Sequence, residues 1–320
     1  MIRVLIAALA ATGLSIAQVE IRPEAEGAPI RVNGQAFTTL HFGAKARKPY
    51  LHPLRSASGK IVTRGFPVDP QPGEATNSPH QLGVWVGHEK LNDIDFFEVD
   101  PVMGIAKKRK VGAVVFKDLT ASSGGAETGN LSFRADWVAP DGKVHVVERR
   151  TMTFHAKPKD LRTVDLDVRL EFPDGADIAD HADGLLGLRL GKPFEEKHGG
   201  TVKNFSGAVG ADKLYGRRSP WIDYSATVDG EKVGVAVFDH PDNYNFPTRW
   251  KIRAFASIFA SAFGEREFYH EDPWKMAIPD TAKDAGLKMS AGAQLRFRYR
   301  VIVHPAAFDA DAAFRTWAAQ

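Results

Sequence analysis

The chain has 320 residues, of which 43% are hydrophobic and 25% charged, as in ordinary globular proteins. Forty-two basic residues balance 39 acidic ones to a net charge of +3, and no basic run is long enough to form a nucleic-acid-binding surface, which argues against nucleic acid as a partner. The absence of cysteine excludes thiolate metal ligands and cysteine nucleophiles.

The first seventeen residues have the pattern of a signal peptide. Arg3 gives a short positive segment, Val4–Leu14 is apolar, and Ser15–Ala17 supplies small residues before a predicted cleavage site at Gln18. We therefore expect residues 1–17 to be a signal peptide and the mature protein to be periplasmic or secreted; the alternative is a buried N-terminal helix. Because no later segment reaches about 18 apolar residues, we expect no membrane span in the mature chain.

Alternation of apolar and polar residues with a period of two dominates the chain. It is strict in Val164–Phe172, and in Leu295–Val303 arginines alternate with apolar residues. Each such segment predicts a strand with one buried and one solvated face. Weaker examples are Leu131–Val138, Val144–Phe154, Val233–Phe238 and Lys251–Ile258. Turn-forming residues lie between the strands at Pro140–Gly142, Pro173–Gly175 and Asp229–Gly230.

Helical spacing is clear in only one segment, at the C-terminus. Asp309–Ala319 predicts a short helix with Asp309 as its N-cap. Because strands do not alternate with helices along the chain, a parallel α/β sheet is disfavoured. We predict an all-β fold, a large antiparallel β-sandwich or supersandwich with long loops and a short C-terminal helix. No linker-like segment divides residues 18–320, which we expect to form a single domain.

Two histidines bracket a glycine- and valine-rich run. If Gln81–Glu89 forms one strand, His80 and His88 lie at its two ends, roughly 26 Å apart. The segment therefore does not predict a two-histidine metal site on its own. Each imidazole has two interpretations, a hydrogen-bonded structural group or a group that transfers protons or binds a ligand.

A second polar cluster follows the predicted strand that ends at Phe238. Its loop carries Asp239, His240 and Asn243, and two prolines stiffen it. Loops of this kind often hold functional side chains, so His240 and Asn243 are candidate site residues.

The strand after this loop presents three cations on one face, Arg249, Lys251 and Arg253. A row of cations on a strand is either a solvated face or a clamp for an anion, an oxyanion or sugar hydroxyls. Both interpretations stay open from the sequence.

Two further segments combine acids with arginines. Glu148 and Arg150 point the same way on an alternating strand, as a cross-strand ion pair or as an acid with its orienting partner. Arg189 ends another strand, and Glu195 lies in the glycine-bounded loop that follows, together with His198. A loop of this composition is either solvated surface or part of a site.

An ordered set of residues supports a resemblance to a known family. The set is Pro49–Pro53, Val62–Pro67, Pro79–His80, Trp85, His88, Asn92, Asp95–Phe96, Glu148–Arg150, Gly187–Arg189, Trp221–Tyr224, Phe238–Pro241, Asn243, Pro247–Thr248, Trp250, Arg253 and Phe263–Gly264. In this order the segments resemble a family of exported bacterial proteins of unassigned function, often labelled "methane oxygenase PmoA-like". The match spans about residues 40–265, most of the mature chain.

The resemblance implies a β-sandwich protein associated with carbohydrate breakdown. Where the family has an Asp-His-Pro-His-His-like run, this chain has Asn77–Gln81, so only His80 remains there. A particulate methane monooxygenase subunit is a bundle of membrane helices, whereas this sequence predicts β-structure without a membrane span. We therefore do not expect methane oxidation.

The function that we expect is that of an exported carbohydrate-active enzyme, a hydrolase, lyase or epimerase acting on glycans or modified sugars. Because imidazole titrates near neutral pH, histidines are the expected general acids and bases, and arginines are expected to stabilise an oxyanion or bind a uronate carboxylate. The catalytic candidates are His80, His88, His240 and Glu148, with Glu195 as another partner acid. The substrate-binding candidates are Arg249, Arg253, Arg189, Asn243, Trp85 and Trp250, the tryptophans offering apolar faces to a pyranose ring.

Two alternatives remain open. One is a non-catalytic glycan-binding β-sandwich module, which needs the arginines and aromatic residues but no titrating histidine. The other is a metal-dependent enzyme that uses His80, His88 or His240 with Asp239. The sequence assigns no metal site and leaves any cofactor unknown; the expected ligand is a glycan or another small molecule.

Overall fold

The structure, a computed structural model, describes residues 18–43, 46–106, 108–270 and 281–320. The predicted signal peptide, residues 1–17, lies outside the described residues, so export stays a prediction. The described chain consists mostly of antiparallel strands, which confirms the predicted all-β sandwich. No helix within these ranges is long and apolar enough to cross a membrane. The single-domain boundaries also stay a prediction.

The strands, in chain order, are β1 (Val19–Ile21), β2 (Gly27–Val32), β3 (Gln35–His41), β4 (Tyr50–Leu51), β5 (Val84–His88), β6 (Ile94–Asp95), β7 (Lys110–Val111), β8 (Ala113–Ser123), β9 (Thr128–Val138), β10 (Val144–His155), β11 (Arg162–Phe172), β12 (Ala176–Ile178), β13 (Gly184–Arg189), β14 (Thr201–Asn204), β15 (Trp221–Val228), β16 (Glu231–Asp239), β17 (Arg249–Arg253), β18 (Ser257–Ser261), β19 (Leu287–Met289) and β20 (Ala293–Pro305). The α-helices are α1 (Pro101–Ala106), α2 (Ala211–Leu214), α3 (Glu267–His270) and α4 (Ala310–Ala318). Two short 3-10 helices cover Lys192–Phe194 and Glu196–His198.

Two eight-stranded sheets form the sandwich. The first has the strand order β1-β2-β3-β4-β5-β13-β18-β17, and the second has the order β14-β15-β16-β20-β11-β10-β9-β8. Neighbouring strands in both sheets are antiparallel, and the two-residue strands β6 and β7 form a separate parallel pair. The first sheet thus brings β5, β13, β18 and β17 side by side, although β5 and β17 lie far apart in sequence.

The second sheet contains the long alternating strands. Strand β11 pairs with β20 along its whole length, from Arg162 opposite Val303 to Phe172 opposite Ala293. Strict alternation buries one face of each strand and leaves the other to solvent. On the solvated face, Arg300 pairs with Asp165 at 2.5 Å. The predicted period-2 pattern is therefore confirmed in this sheet.

The hydrophobic core lies between the sheets. The first sheet contributes side chains such as Val86, Leu188 and Ile258, and the second contributes Val168 and Val301 to the same buried cluster. Strands β5 and β13 of the first sheet bury their other face as well, because they contain only buried residues. The face of the first sheet that points away from the second sheet is called the outer face below.

Two predicted strands have different bounds in the structure. Lys251–Ile258 was expected to be one strand, but the chain turns at residues 254–256, where Ala256 has a φ of 60°. The segment therefore divides between β17 and β18, which pair with each other. The strand expected at Gln81–Glu89 is shorter, because β5 begins at Val84.

The C-terminal helix agrees with its prediction. The side chain of Asp309 accepts hydrogen bonds from the backbone N–H groups of Asp311 and Ala312, at 3.1 and 3.0 Å, as an N-cap does. Helix α4 buries Phe314 and Trp317 against Phe238 of the second sheet.

Candidate functional site

A charged cavity of about 350 Å³ lies against the outer face of the first sheet. Cross-strand register places one row of residues on this outer face, and the row runs from Tyr50 through Trp85, Gly187 and Phe259 to Lys251. The cavity is closed by loop residues that precede and follow β5, among them His80 and Glu98. Its lining is Ser78, His80, Gln81, Glu89, Phe97, Glu98, Asp183, Lys251, Arg253, Phe255, Ser257 and Phe259. We call it the outer-face cavity.

Three aromatic rings form an apolar floor beneath the charged groups. The ring of Phe97 lies 5.2 Å from Trp85 and 4.9 Å from Phe259, between centroids. The floor needs a glycine at position 187, because a Cβ atom there would lie 2.4 Å from the Trp85 ring. Trp85 itself is fully buried below the cavity, so it supports the floor and presents no free face to a ligand.

His80 and Glu98 form one titratable pair at the cavity. The Nε2 atom of His80 lies 3.8 Å from Oε1 of Glu98, and the two side chains are only 7% and 8% exposed. Arg64 holds the loop of His80 in place by donating to backbone carbonyls, including Asn77 at 2.8 Å and Ser78 at 2.7 Å. The histidine is therefore held in a loop whose backbone is fixed by a buried guanidinium.

The position of Glu98 is fixed by Asp95. The Oδ1 atom of Asp95 accepts hydrogen bonds from the backbone N–H groups of Phe97 and Glu98, at 2.8 and 2.9 Å. Burial raises the pKa of Asp95 to about 6, although these two hydrogen bonds oppose the shift. Arg109 lies 3.2 Å from Asp95 and 2.6 Å from Glu98 and also contacts Glu89, so one guanidinium connects three carboxylates.

Lys251 and Asp183 form a second ionic pair in the cavity. The Nζ atom of Lys251 lies 2.8 Å from Oδ1 and 2.9 Å from Oδ2 of Asp183. Burial alone would raise the pKa of Asp183, but the charge of Lys251 outweighs burial and lowers it. Asp183 is therefore a carboxylate, although it is almost fully enclosed.

Only one group of three potential metal ligands was found within the described ranges. Glu89, His181 and Asp183 place one ligand atom each within 4.8 Å of one another. The Nδ1 atom of His181 accepts the backbone N–H of Asp183 at 3.1 Å, so the neutral ring carries its proton on Nε2, the atom that faces Glu89 at 3.9 Å. The carboxylates of Glu89 and Asp183 are engaged by Arg109 and Lys251. This donor set fits a hydrogen-bonded ionic network better than a metal site.

The residues expected from the sequence do not all meet in one place. His80 and Arg253 line the outer-face cavity. Arg189 lies next to it, buried, with Nη1 3.2 Å from the side-chain oxygen of Gln81. Trp85 lies in the floor, as described above.

His88 lies behind the cavity, at the end of β5. Its Nε2 atom is 3.0 Å from the carbonyl oxygen of Ala179, and its ring lies edge-on to Phe263. Burial, with a smaller contribution from His181, lowers the pKa of His88 to about 3. Its imidazole is neutral at physiological pH, and the geometry gives it a structural role.

Glu148 lies between the two sheets. Its carboxylate accepts hydrogen bonds from Nε1 of Trp137 at 2.9 Å and from Nε of Arg150 at 2.6 Å. All three side chains are buried. Glu148 and Arg150 do share a face, as the alternation predicts, but that face is the core and not a cavity.

His240 and Asn243 lie at the end of β16, in the second sheet. Nδ1 of His240 is 2.8 Å from Arg298, and Asn243 donates to Asp239 at 2.7 Å and to the carbonyl oxygen of Arg298 at 2.8 Å. These bonds hold the loop against β20. Burial raises the pKa of Asp239 to about 7. His80, His88 and His240 therefore do not converge with Asp239 on one metal.

The remaining candidates are engaged by protein groups. Arg249 forms a two-pronged ion pair with Glu265, in which its Nε is 2.7 Å from Oε2. Trp250 is buried in the core and donates to the carbonyl oxygen of Ser219 at 2.7 Å. Glu195 lies 3.9 Å from Arg189 and 3.0 Å from Lys197. Glu195 does not line the outer-face cavity.

Sequence reasoning missed Glu89, Glu98 and Asp183. No motif marks these carboxylates, since each lies in a different loop or strand end. The sequence feature that came closest to indicating the site was the alternation along β17. Arg249, Lys251 and Arg253 share the outer face, as predicted, while Trp250 faces the core.

Fold and cavity together define a β-sandwich protein with an ionic site on the outer face of one sheet. Residues 28–318 match the model of a family of unknown function, DUF6807, and the chain belongs to this family. The label "PmoA-like" is not part of this match and stays a prediction. Among curated proteins, none matches the sequence significantly.

Two solved structures are similar in outline. A galactose mutarotase related enzyme from Lactobacillus acidophilus is 8% identical with a TM-score of 0.36, and the alignment covers 89% of this chain and 97% of that one. The protein HI1317 is 10% identical with a TM-score of 0.26, and the alignment covers 89% and 98% of the two chains. Similarities this low lead to no conclusion about the activity of this chain.

Proposed function

We propose that the protein is a carbohydrate-active enzyme whose active site is the outer-face cavity. The observation behind this proposal is that one cavity collects a histidine–carboxylate pair, His80 with Glu98, a lysine–carboxylate pair, Lys251 with Asp183, and the guanidinium of Arg253. Acid–base pairs in a small enclosed site are what proton transfer to or from a sugar needs.

In the proposed mechanism, His80 transfers the proton. Its Nε2 faces Glu98, and a carboxylate at this place stabilises the imidazolium that forms when the ring accepts a proton. Arg253 then hydrogen-bonds a substrate oxygen that gains negative charge. The reaction class is a hydrolysis, an elimination or an epimerisation, each of which uses such a base.

The aromatic residues favour an enzyme over a non-catalytic binding module. A glycan-binding surface typically presents exposed rings that stack on the sugar. Here Trp85, Phe97 and Phe259 are buried, and Phe255, 36% exposed, is the lining ring most open to solvent. Charged groups dominate the cavity, and enclosed charges are more useful for chemistry than for surface recognition.

The test is turnover by the purified protein on neutral and acidic polysaccharides, followed by reducing ends, unsaturated products and sugar NMR. We expect activity on at least one substrate, and Glu98→Gln should lower it by about 10²–10⁴-fold. Glu171→Gln, on the second sheet, is the matched control and should keep full activity. Because Glu98 also pairs with Arg109, its replacement can lower stability, and urea denaturation shows whether the variant is still folded. His80→Gln tests the same proton transfer independently and should also lower turnover.

Two results would contradict the proposal. One is a folded wild-type protein that converts none of these polysaccharides. The other is a pair of folded variants, Glu98→Gln and His80→Gln, with wild-type turnover.

A further inference from the structure

One end of the outer-face cavity contains hydrogen-bond donors and no acid. Arg189, Ser257 and Arg253 are neighbours across β13, β18 and β17. This row lies two residues, about 7 Å along the strands, from the row that contains Lys251 and the aromatic floor. The lining residues near it, Gln81 among them, carry no carboxylate, whereas Glu89, Glu98 and Asp183 belong to the remainder of the lining.

Ser257 is a buried hydroxyl without a hydrogen-bond partner in the described chain. Its Oγ atom is inaccessible to bulk solvent, yet the residue lines the cavity. A buried hydroxyl without a partner costs free energy, so such a group in a cavity wall indicates a missing acceptor. A ligand oxygen in the cavity would supply one after a small shift of the side chains that cover the Oγ atom.

Arg253 is a cation without a carboxylate. The guanidinium lies 4.9 Å from the centre of the Tyr215 ring, and it forms no salt bridge with any described residue. Arg249, two positions earlier, differs because it pairs with Glu265. Arg253 also lines the cavity. Its charge is therefore available to a ligand.

Arg189 adds positive charge behind this row. It lies over the ring of Phe255 at 4.5 Å, and its Nε and Nη2 atoms make no hydrogen bond to any described residue. Burial, followed by the neighbouring charge of Arg64, lowers the pKa of Arg189 to about 10. Glu195 offsets this charge only in part, because it lies 3.9 Å away and is also paired with Lys197.

Arg189 also fixes the orientation of the Gln81 amide. An arginine can only donate, so the amide oxygen of Gln81 faces Nη1 of Arg189, at 3.2 Å. The NH₂ group of Gln81 consequently points away from the guanidinium. Because Gln81 lines the cavity, it adds a further donor to this end.

We propose that Gln81, Arg253 and Ser257, supported by Arg189, form a subsite for an anionic substituent, a carboxylate or a sulfate group, on the sugar that the cavity binds. A planar guanidinium with nearby hydroxyl and amide donors matches the oxygens of either group. The inference rests on the proposed function, since it names the substrate class of the same cavity: acidic rather than neutral sugars.

The test compares binding of D-galacturonate, D-galactose 6-sulfate and D-galactose by calorimetry at constant ionic strength. The three sugars differ at C6, so their comparison isolates the anionic group. We expect at least one anionic sugar to bind about tenfold or more tightly than galactose, as a charge-assisted hydrogen bond allows. Which of the two is preferred distinguishes a uronate from a sulfate ester.

Variants locate the preference. Arg253→Gln should abolish the preference for the anionic sugar, and Ser257→Ala should reduce it. Arg296→Gln removes one positive charge from the second sheet, where Arg296 pairs with Asp167, and should keep the preference. This control separates a local subsite from the general attraction of a basic protein, with a pI near 8.9, for anions.

The inference is overturned if neither anionic sugar binds more tightly than galactose, or if none of the three sugars binds. It is also overturned if a folded Arg253→Gln variant keeps the preference for the anionic sugar. Its failure is distinct from failure of the proposed function, because the readout is binding. A protein that turns over neutral glycans through His80 but shows no anion preference loses only this inference. A protein that prefers the anion but converts no glycan loses only the enzymatic proposal.

Discussion

Two of the regions of this molecule that contain buried charges differ in what surrounds those charges. Between the sheets, Glu148 is hydrogen-bonded to Arg150 and Trp137, with hydrophobic core around them. On the outer face of the first sheet, Lys251 and Asp183 pair at the wall of a cavity. Buried ion pairs in a core serve the fold, whereas ion pairs beside a cavity can also meet a ligand. Burial alone therefore does not distinguish structural from functional charges in this protein.

The largest effect should follow from breaking the core pair. Glu148→Ala leaves Arg150 buried without a partner for its charge, and we expect a loss of about 3–5 kcal/mol in the free energy of unfolding. Urea denaturation measures this loss. Replacing both residues, as in Glu148→Leu with Arg150→Met, should recover much of it. A loss below about 1 kcal/mol in the single variant would contradict the structural role that we assign to this pair.

The pH dependence of stability should show the burial of Asp239. Its pKa is raised from 3.8 to about 7 in the folded protein by burial, so between about pH 4 and pH 7 the folded state holds a proton that the unfolded state lacks. Stability contributed by this proton falls as the pH rises through that range, by at most about 4 kcal/mol. We expect Asp239→Asn to remove this component, measured as unfolding free energy at pH 5 and pH 8. Equal pH slopes in the wild type and the variant would contradict the assignment.

The aromatic floor of the outer-face cavity gives a smaller effect. Gly187→Ala places a Cβ atom against the Trp85 ring, and we expect overpacking to cost about 1–3 kcal/mol. Gly191→Ala is the control, because the nearest atom to its Cβ would be 3.4 Å away. If the two substitutions destabilise the protein equally, the floor is not as closely packed as we describe.

The smallest effect should come from the cavity itself. Because Arg253 forms no ion pair with a described carboxylate, Arg253→Gln should change the unfolding free energy by no more than about 0.5 kcal/mol. Urea denaturation of Arg253→Gln and Glu148→Ala under the same conditions compares the loss of unfolding free energy in the two regions directly. A loss comparable with that of the core variant would show that Arg253 is structural, and would remove it from the proposed site.

Much of the fold was predictable, because the signal for a long half-buried strand is local. The strict alternation of Val164–Phe172 and the arginine alternation in Leu295–Val303 predict their strands from neighbouring residues alone. The helical spacing of Asp309–Ala319 predicts the C-terminal helix in the same local way. Prediction failed at Lys251–Ile258, where a turn at residues 254–256 interrupts a pattern that reads as one strand. That turn contains neither glycine nor proline, so its composition gave no warning.

The site was much less predictable, because its pairs join distant segments. Asp183 meets Lys251 across 68 positions of sequence, and only the order of strands in the first sheet brings them together. The sequence identified His80 and Arg253 by residue type. It could not separate them from His240 or Arg249, which have the same chemistry but are engaged by Arg298 and Glu265. The distinction depends on neighbours that only the fold supplies.

The most direct test compares the two histidines by turnover per folded molecule on a substrate of the wild-type protein. His80 lines the outer-face cavity beside Glu98, while His240 lies at the second sheet with Arg298. We predict that His80→Gln stays folded and loses turnover by about 10²–10⁴-fold, and that folded His240→Gln turns over its substrate within a few-fold of the wild type. Loss of turnover in His240→Gln with full activity in His80→Gln would contradict the account.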